Sequence, residues 1–314
     1  MQNQTISVVI PVFNEEPVIE RTYERLSAVM ADMPYSYELL FVDDGSTDTS
    51  LAILDGIADG DDRVSLVSFS RNFGHQAAVM AGIEYARGDA VVLIDADLQD
   101  PPEVIPQMVE KWREGYDVVY GKRTKRKGEG VFKKITAFFF YRFLRSMTET
   151  DIPKDTGDFR LMDRQVCEWM RLLREKRPFV RGLVRWVGFR QTSVEYVRDE
   201  RAAGETKYPL KKMLGLATDG IFSFSYKPLK LAGYVGFALS LISFVYLLVV
   251  LYQRLFTQQF QPGWASLMAI ILFFNGIILI MLGILGEYLG RIYEEVKDRP
   301  LYIVARSRGI EAKK

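Results

Sequence analysis

The chain has 314 residues, of which 41 are basic and 40 acidic, so a formal net charge of +1 provides no global field that would attract nucleic acid. The single cysteine excludes an intrachain disulfide and a thiolate zinc cage, and the single histidine excludes a histidine metal cluster. We therefore expect catalysis to rest on carboxylates, basic groups and a metal, or the chain to have none. The first residues lack the basic and apolar regions of a signal peptide, so we expect the front of the chain to stay in the cytosol.

Short apolar runs alternate with longer segments of helical composition in the first 120 residues. The predicted strands are residues 6–12, 38–43, 64–69, 90–95 and 117–120, and the predicted helices are residues 15–33, 47–58, 75–86 and 102–114. The strand runs are continuously apolar, which is typical of strands that are buried on both faces. This βαβα order predicts an α/β fold with a mainly parallel, doubly wound sheet, in which ligands bind at the carboxyl ends of the strands.

An aromatic and basic segment follows, and it has two interpretations. Residues 129–147 carry six aromatic rings flanked by four basic side chains, and residues 207–226 are of the same type. A helix buried in the core is one interpretation, but the basic flanks favour amphipathic helices lying on a membrane surface. The basic block at residues 121–134 is either solvated surface or a contact for phosphates and anionic headgroups.

Two apolar runs of 23 residues each, 231–253 and 264–286, contain no charged side chain. About 20 residues suffice for a helix to cross a bilayer, so two membrane spans are favoured over buried core helices. Basic residues cluster outside the pair, which predicts a cytosolic location for both outer flanks and both termini and agrees with a cytosolic N-terminal domain. We therefore expect a multi-pass protein of the plasma (inner) membrane.

The expected division is a cytosolic catalytic domain with interface helices (1–226), a two-helix membrane region (227–290) and a cytosolic tail (291–314). A homo-oligomer is also expected, because small residues in the spans would let helices approach closely. These residues are Gly233, Gly236, Gly276 and Gly283.

Two acidic side chains, Asp95 and Asp97, stand at the end of the fourth predicted strand. Carboxylates this close repel one another unless a cation lies between them or one is protonated. Oxygen donors without histidine or cysteine suit Mg²⁺ or Mn²⁺, which can bridge the two phosphates of a nucleotide diphosphate, and Gln99 offers a third oxygen. The alternative is an ordinary acidic surface turn.

A second acidic pair, Asp43 and Asp44, follows the second predicted strand and precedes Gly45, which permits a tight turn. These acids either shape the turn or hydrogen-bond a base or ribose, and the two roles are compatible. Phe13 could equally stack on a base or belong to the core. For His75 we favour a buried, hydrogen-bonded histidine.

The ordered set of motifs resembles the GT-A glycosyltransferases of family 2, specifically the polyprenyl-phosphate glycosyltransferase branch. That branch includes the bactoprenol glucosyltransferases and the dolichol-phosphate mannose synthases. The resemblance extends from residue 6 to about residue 302 and includes the pair of C-terminal spans. The motifs stand at residues 10–15, 42–46, 70–76, 95–102, 157–161, 204–208 and 286–293.

The resemblance implies a role for each matching residue. The donor nucleotide would be bound by Pro11, Phe13, Glu15 and Asp43, with Asp44 beside them. The metal and the donor diphosphate would be held by Asp95, Asp97 and Gln99, and phosphates would be neutralised by Arg123 and Lys207.

Asp158 occupies the position often assigned to a catalytic base. A polyprenyl phosphate is already largely ionised near neutral pH, so Asp158 could instead orient Arg160 or the acceptor. A salt bridge that holds the loop is the remaining alternative.

The expected reaction is inverting transfer of a single sugar, most simply glucose, from a UDP-sugar to undecaprenyl phosphate for glycosylation of the cell envelope. UDP-N-acetylglucosamine, GDP-mannose and an amino-arabinose nucleotide are alternative donors. Processive synthases of this fold carry Gln-x-x-Arg-Trp, whereas this chain has Gly182 in place of the glutamine before Arg185 and Trp186. A processive synthase is therefore less expected. An inactive membrane scaffold is also less expected, because Asp95, Asp97 and Gln99 are all present.

Overall fold

The computed structural model describes residues 4–124, 156–198, 225–256 and 263–310. The predicted interface helix at 129–147 lies outside the described residues. So do Lys207 and all of the second predicted interface helix except its last two residues.

Eight strands form a single mixed sheet. They are β1 (Thr5–Val12), β2 (Ser36–Asp43), β3 (Val64–Phe69), β4 (Ala90–Leu93), β5 (Val118–Arg123), β6 (Thr156–Asp163), β7 (Gln191–Tyr196) and β8 (Val304–Arg308). Their order across the sheet is β7-β5-β6-β4-β1-β2-β3-β8. The central pairs β4–β1, β1–β2 and β2–β3 are parallel, as is β5–β7, while β6 and β8 pair antiparallel with their neighbours. The predicted mainly parallel α/β sheet is confirmed.

The described part of the chain contains eight α-helices. They are α1 (Ile19–Ala31), α2 (Ser50–Gly60), α3 (His75–Tyr85), α4 (Ile105–Arg113), α5 (Arg164–Leu172), α6 (Val180–Val187), α7 (Lys227–Phe256) and α8 (Trp264–Val296). A short 3₁₀ turn, Pro102–Val104, precedes α4.

Both faces of the sheet are covered, because alternate residues of the strands enter two different cores. Along β1, Ile6, Val8 and Ile10 face the core that is packed against α1, α2 and α4, whereas Val9 faces the core packed against α3, α5 and α6. Helix α3 packs tightly against β1 at Gly82. A Cβ atom on its Gly82 would stand 2.0 Å from Cγ1 of Val9.

Helices α7 and α8 form the C-terminal hairpin and contain the two candidate membrane spans, Lys227–Tyr246 and Phe273–Val296. Both helices are long and apolar enough to cross a bilayer, and none of either span is buried inside the protein. A Cβ atom on Gly236 would stand 3.8 Å from Sδ of Met281, so this glycine contributes to packing between the two helices of one chain. The homo-oligomer stays a prediction.

The chain after the hairpin rejoins the sheet, and the predicted division that makes residues 291–314 a cytosolic tail stays a prediction. Helix α8 continues to Val296, past the predicted boundary at 290, and β8 then pairs antiparallel with β3. Aromatic stacking of Tyr302 on Phe69, with ring centroids 4.8 Å apart, helps to hold this return. The basic, five-residue β8 has no apolar run that would mark it as a strand, so only its pairing partner defines it.

Candidate active site

The loops after β2 and β3 are tied together by Asp44. Its carboxylate accepts hydrogen bonds from the backbone N–H groups of Phe73 (2.7 Å) and Gly74 (2.9 Å) and from Nδ2 of Asn72 (3.0 Å). Burial raises the pKa of Asp44, although the two backbone hydrogen bonds oppose that effect. The geometry therefore supports the interpretation that Asp44 shapes the turn, and its contact with a nucleotide stays a prediction.

Asp43 is fully buried and also organises the loop after its strand. One carboxylate oxygen accepts from Oγ of Ser68 at 2.8 Å, and the other accepts from the backbone N–H of Ser46 at 3.0 Å. Gly45 has a φ of +69°, and a Cβ there would stand 2.4 Å from the carbonyl carbon of Arg71. Only glycine fits this turn, because it must be left-handed and close to another loop.

The loop after β1 is fastened to the same region by Asn14. Its Oδ1 accepts from the backbone N–H of Thr47 at 2.8 Å, while the backbone N–H of Glu15 donates to Oγ of Ser50 at 2.9 Å. Pro11 is buried and Phe13 is 36% exposed. The sheet therefore gathers the predicted donor residues at the ends of β1 and β2 and in the loops that follow them, and their role in binding the donor stays a prediction. They are Pro11, Phe13, Glu15, Asp43 and Asp44.

Asp95 and Asp97 follow β4 directly, and both are partly buried, as is Gln99. Oδ1 of Asp97 accepts from the backbone N–H of Gln99 at 3.1 Å, which folds the loop back on itself. Burial raises the pKa of Asp95 to about 6; His75 opposes this rise, and the acids Asp158, Asp100 and Asp97 add to it.

This crowding of acids fits a divalent cation, which would relieve the repulsion that disfavours the ionised form of Asp95. Among the described residues, no group of three or more histidine, cysteine, aspartate or glutamate side chains is arranged to bind a metal. Asp95 and Asp97 could therefore supply only part of a coordination shell, so the remaining ligands would have to come from Gln99, water or the donor phosphates.

Asp158, on β6, is the centre of a charged cluster. Its carboxylate accepts two hydrogen bonds from Arg181 of α6, Nε at 2.8 Å and Nη2 at 3.2 Å. His75 Nε2, at the start of α3, lies 3.2 Å from Oδ2 of Asp158 and 3.7 Å from Oδ1 of Asp95. His75 therefore links the two acidic positions that the sequence marked separately.

The protonation of this cluster follows from its charges. Burial would raise the pKa of Asp158, but the Arg181 charge and the hydrogen bond with His75 hold it well below its usual range. Burial would likewise lower the pKa of His75, but its hydrogen bond with Asp158 and the charges of Asp95 and Asp158 raise it to about 9. An acid that binds its proton so weakly is a poor general base.

Arg160 lies beneath Asp158 and is 4% exposed. Its Nε donates to the carbonyl of Asp158 at 3.1 Å and its Nη2 to the carbonyl of Gly157 at 3.0 Å. Burial lowers the pKa of Arg160 to about 10, and the charge of Asp158 partly restores it. This burial favours a supporting role for Arg160 over direct contact with a substrate.

Arg123 belongs to a separate buried pair. Its Nη2 lies 3.1 Å from the carboxylate of Asp100, and its Nε donates to the hydroxyl of Tyr196 at 3.1 Å. The same hydroxyl donates to Asp100. Burial would lower the pKa of Arg123, but the charges of Asp100 and Tyr196 and the hydrogen bonds with them together raise it. The predicted phosphate contact of Arg123 would therefore have to compete with Asp100.

Sequence reasoning did not select Arg181 or Gln76 as site residues, and it gave His75 only a structural role. Oε1 of Gln76 accepts from the backbone N–H of Val180 at 3.0 Å, which joins the starts of α3 and α6. His75 and Gln76 lie within the motif at residues 70–76, and that motif was the sequence signal that could have identified them as site residues. Arg181 had none, because it reaches Asp158 only through the packing of α6.

Comparison with known proteins places the chain in a family. Residues 7–170 match the model described as glycosyl transferase family 2, and residues 227–292 match the model described as GtrB C-terminal hairpin.

Three relatives are similar over nearly their full length. An uncharacterized glycosyltransferase of Bacillus subtilis, YkcC, is 63% identical, with 98% of this chain and 95% of that protein covered. The SfII prophage-derived bactoprenol glucosyl transferase of Shigella flexneri is 44% identical, with 96% and 98% covered. A prophage bactoprenol glucosyl transferase homolog of Escherichia coli is 42% identical, with the same coverage of 96% and 98%.

Solved structures are more distant. A glucosyl-3-phosphoglycerate synthase from Mycobacterium tuberculosis is 22% identical at a TM-score of 0.48, with 70% of this chain and 76% of that chain covered. Similarity at this level carries no argument about function. The family model and the relatives suffice: the chain belongs to glycosyl transferase family 2 and is a glycosyltransferase.

Proposed function

We propose that this enzyme transfers a single glucose from UDP-glucose to undecaprenyl phosphate, with inversion at the anomeric carbon, on the cytosolic side of the plasma membrane. The observation that carries the proposal is the similarity to proteins named bactoprenol glucosyl transferase, which covers 96% of the chain and includes the hairpin. Bactoprenol is undecaprenol, so the acceptor would be its phosphate ester.

The course of the chain around the hairpin supports a two-span topology. The catalytic sheet precedes α7, and β8, which follows α8, pairs with β3 of the same sheet. The chain therefore leaves the catalytic domain and returns to it on one side, as a helix pair that crosses a bilayer twice requires. This arrangement would hold the active site near the membrane surface, where a lipid phosphate is exposed.

The donor end of the site would use the acids after β4. Asp95 and Asp97, with Gln99, would hold Mg²⁺ or Mn²⁺, which when bound neutralises negative charge on the departing diphosphate. In the loops after β1 and β2, Phe13 and Glu15 would contact the nucleotide, and Asp43 and Asp44 would keep these loops in place.

The acceptor oxygen would attack C1 of glucose while the bond from C1 to the β-phosphate oxygen breaks, and the electron pair of that bond leaves with UDP. A phosphate monoester has a second pKa of about 6, so the acceptor needs no base near neutral pH. We therefore assign Asp158 to positioning. It would orient Arg181, whose partly exposed guanidinium would supply positive charge beside the acceptor phosphate.

The test is transfer of labelled glucose from UDP-glucose to added undecaprenyl phosphate by the full chain in detergent, with and without EDTA. A singly glucosylated lipid that disappears with EDTA and returns with Mg²⁺ or Mn²⁺ is the expected result. The variant Asp95→Ala combined with Asp97→Ala should abolish turnover. The matched control is Asp62→Ala, an exposed acid in the turn before β3, which should leave turnover unchanged.

Other outcomes would contradict particular parts of the proposal. Binding of UDP without glucose transfer would reject the donor and direct the assay to UDP-N-acetylglucosamine, GDP-mannose and an amino-arabinose nucleotide. Products with more than one sugar would indicate a processive enzyme. Retained turnover in the double alanine variant would reject the metal role, and neither UDP binding nor transfer would favour an inactive scaffold.

A further inference from the structure

The end of α8 is joined to the segment that connects α5 and α6. Arg177 makes two hydrogen bonds with Glu294 of α8, Nε to Oε2 at 2.7 Å and Nη2 to Oε1 at 2.8 Å. Lys176 Nζ lies 2.7 Å from Oδ1 of Asp298, and its backbone N–H donates to Oε1 of Glu295 at 2.9 Å. We call this set of contacts the α8 clamp.

The clamped segment leads directly into the charged cluster of the active site. Pro178 follows Arg177 and is buried, and a proline ring restricts the backbone at that point. The next turn is the start of α6. There the backbone N–H of Val180 donates a hydrogen bond to Gln76, and the guanidinium of Arg181 donates to Asp158. Only three residues, 178–180, therefore lie between Arg177, which pairs with Glu294 of α8, and Arg181, which pairs with Asp158.

The geometry of the α8 clamp suits it to position the start of α6 and adds little to the stability of the fold. Exposed ion pairs contribute little to stability, and Arg177 and Glu294 are each more than two-fifths exposed. A two-bonded arginine–carboxylate pair nevertheless fixes direction as well as distance. Charged residues begin at Glu287, so Glu294 follows the uncharged run of α8 and lies in the last part of the candidate span Phe273–Val296.

We propose that the end of the second hairpin helix, through Glu294 and Arg177, positions Arg181 for sugar transfer, so that the hairpin is a working part of the catalytic site as well as an anchor. This inference rests on the proposed function for its kinetic readout only. Arg177 and Glu294 touch no substrate and act through Arg181.

A mutant cycle tests the proposal on the full chain in lipid nanodiscs. Glu294→Gln and Arg177→Gln should each lower kcat about tenfold, because small misplacements of a site are costly. The KM for UDP-glucose should stay nearly constant, since the donor residues are elsewhere. The charge-swapped pair, Arg177→Glu with Glu294→Arg, should recover much of kcat. In an Arg181→Ala background, Glu294→Gln should cause no further loss.

The matched control is Asp59→Asn, which breaks the ion pair between Arg308 of β8 and α2. This pair also joins the chain after α8 to the catalytic domain, but at a helix that carries none of the charged cluster. Its loss should leave kcat unchanged. Unchanged kcat in Glu294→Gln, or losses that add to that of Arg181→Ala, would overturn the proposal.

Hydrogen–deuterium exchange of residues 179–187 separates this inference from the proposed function. Glu294→Gln should speed exchange at the start of α6, and Asp59→Asn should not. Unchanged exchange in Glu294→Gln would overturn the clamp even if the enzyme transfers glucose as proposed. Faster exchange in an enzyme that uses another donor would reject only the proposed sugar, and the kinetic cycle would then be run with that donor.

Discussion

Replacement of Gly82 by alanine tests the close contact between α3 and strand β1. The new Cβ would stand 2.0 Å from Cγ1, 3.2 Å from Cβ and 3.3 Å from Cγ2 of Val9. Val9 cannot easily move away, because it is fully buried and a β-branched side chain has few rotamers. Overpacking of this kind costs about 1–3 kcal/mol, and the gain in helix propensity offsets about 1 kcal/mol of it.

The overlap is severe, so we place Gly82→Ala at the upper end, a net loss of about 2 kcal/mol in the free energy of unfolding. For a domain of this size that corresponds to a melting temperature lower by about 4–8 °C. The assay is thermal unfolding of the full chain in detergent, followed by intrinsic fluorescence. Helix α3 begins at His75, so kcat should fall as well if the helix shifts.

Gly56→Ala is the matched control, because Gly56 is also inside a helix, α2, and its Cβ would meet nothing within 4 Å. It should raise stability by up to about 1 kcal/mol, the opposite sign. Val9→Ala combined with Gly82→Ala should be more stable than the two separate losses predict, because the smaller residue makes room for the new methyl group. A Gly82→Ala protein as stable as Gly56→Ala would refute the reasoning.

Three further predictions concern Glu175, Gly45 and Cys167. Burial raises the pKa of Glu175 to about 7, and Glu295 adds to the rise. The stability due to the protonated carboxyl is therefore fully present below about pH 4.5 and lost as pH rises through about 7. Glu175→Gln should stabilise the protein by about 1 kcal/mol at pH 8 and by much less near pH 5. The value at pH 8 is reduced to allow for the partial exposure of Glu175. Melting curves of both proteins at the two pH values are the measurement. Gly45→Ala forces a side chain into a left-handed turn against the backbone of Arg71. The affinity for UDP, measured by calorimetry, should therefore fall. An unchanged affinity would contradict the close approach of the two loops. Burial raises the pKa of the Cys167 thiol to about 12, so N-ethylmaleimide should modify it only after unfolding. Rapid modification of the folded protein, detected by mass spectrometry, would argue against this burial.

Local pattern alone determined the parallel core of the sheet and the hairpin. Continuous apolar runs marked β1 to β4 because strands buried on both faces require them. Uncharged runs of 23 residues marked the cores of α7 and α8. The acids at the ends of β2 and β4 were recognisable for a related reason, since the carboxyl ends of parallel strands meet at one edge.

The tertiary structure decided which charges meet. Asp158 lies 23 residues from Arg181 and 83 from His75 along the chain, so no local pattern could pair them. Strand β6 mixes polar and apolar residues and was not predicted, yet its place beside β4 brings Asp158 to the edge that carries Asp95.

The same physical reason governs β8 and the α8 clamp. Their partners are β3 and residues 176–177, which lie more than 100 residues away along the chain. Sequence periodicity determines which face of an element is buried, but only the order of strands and the return of the chain from the hairpin determine what that element touches.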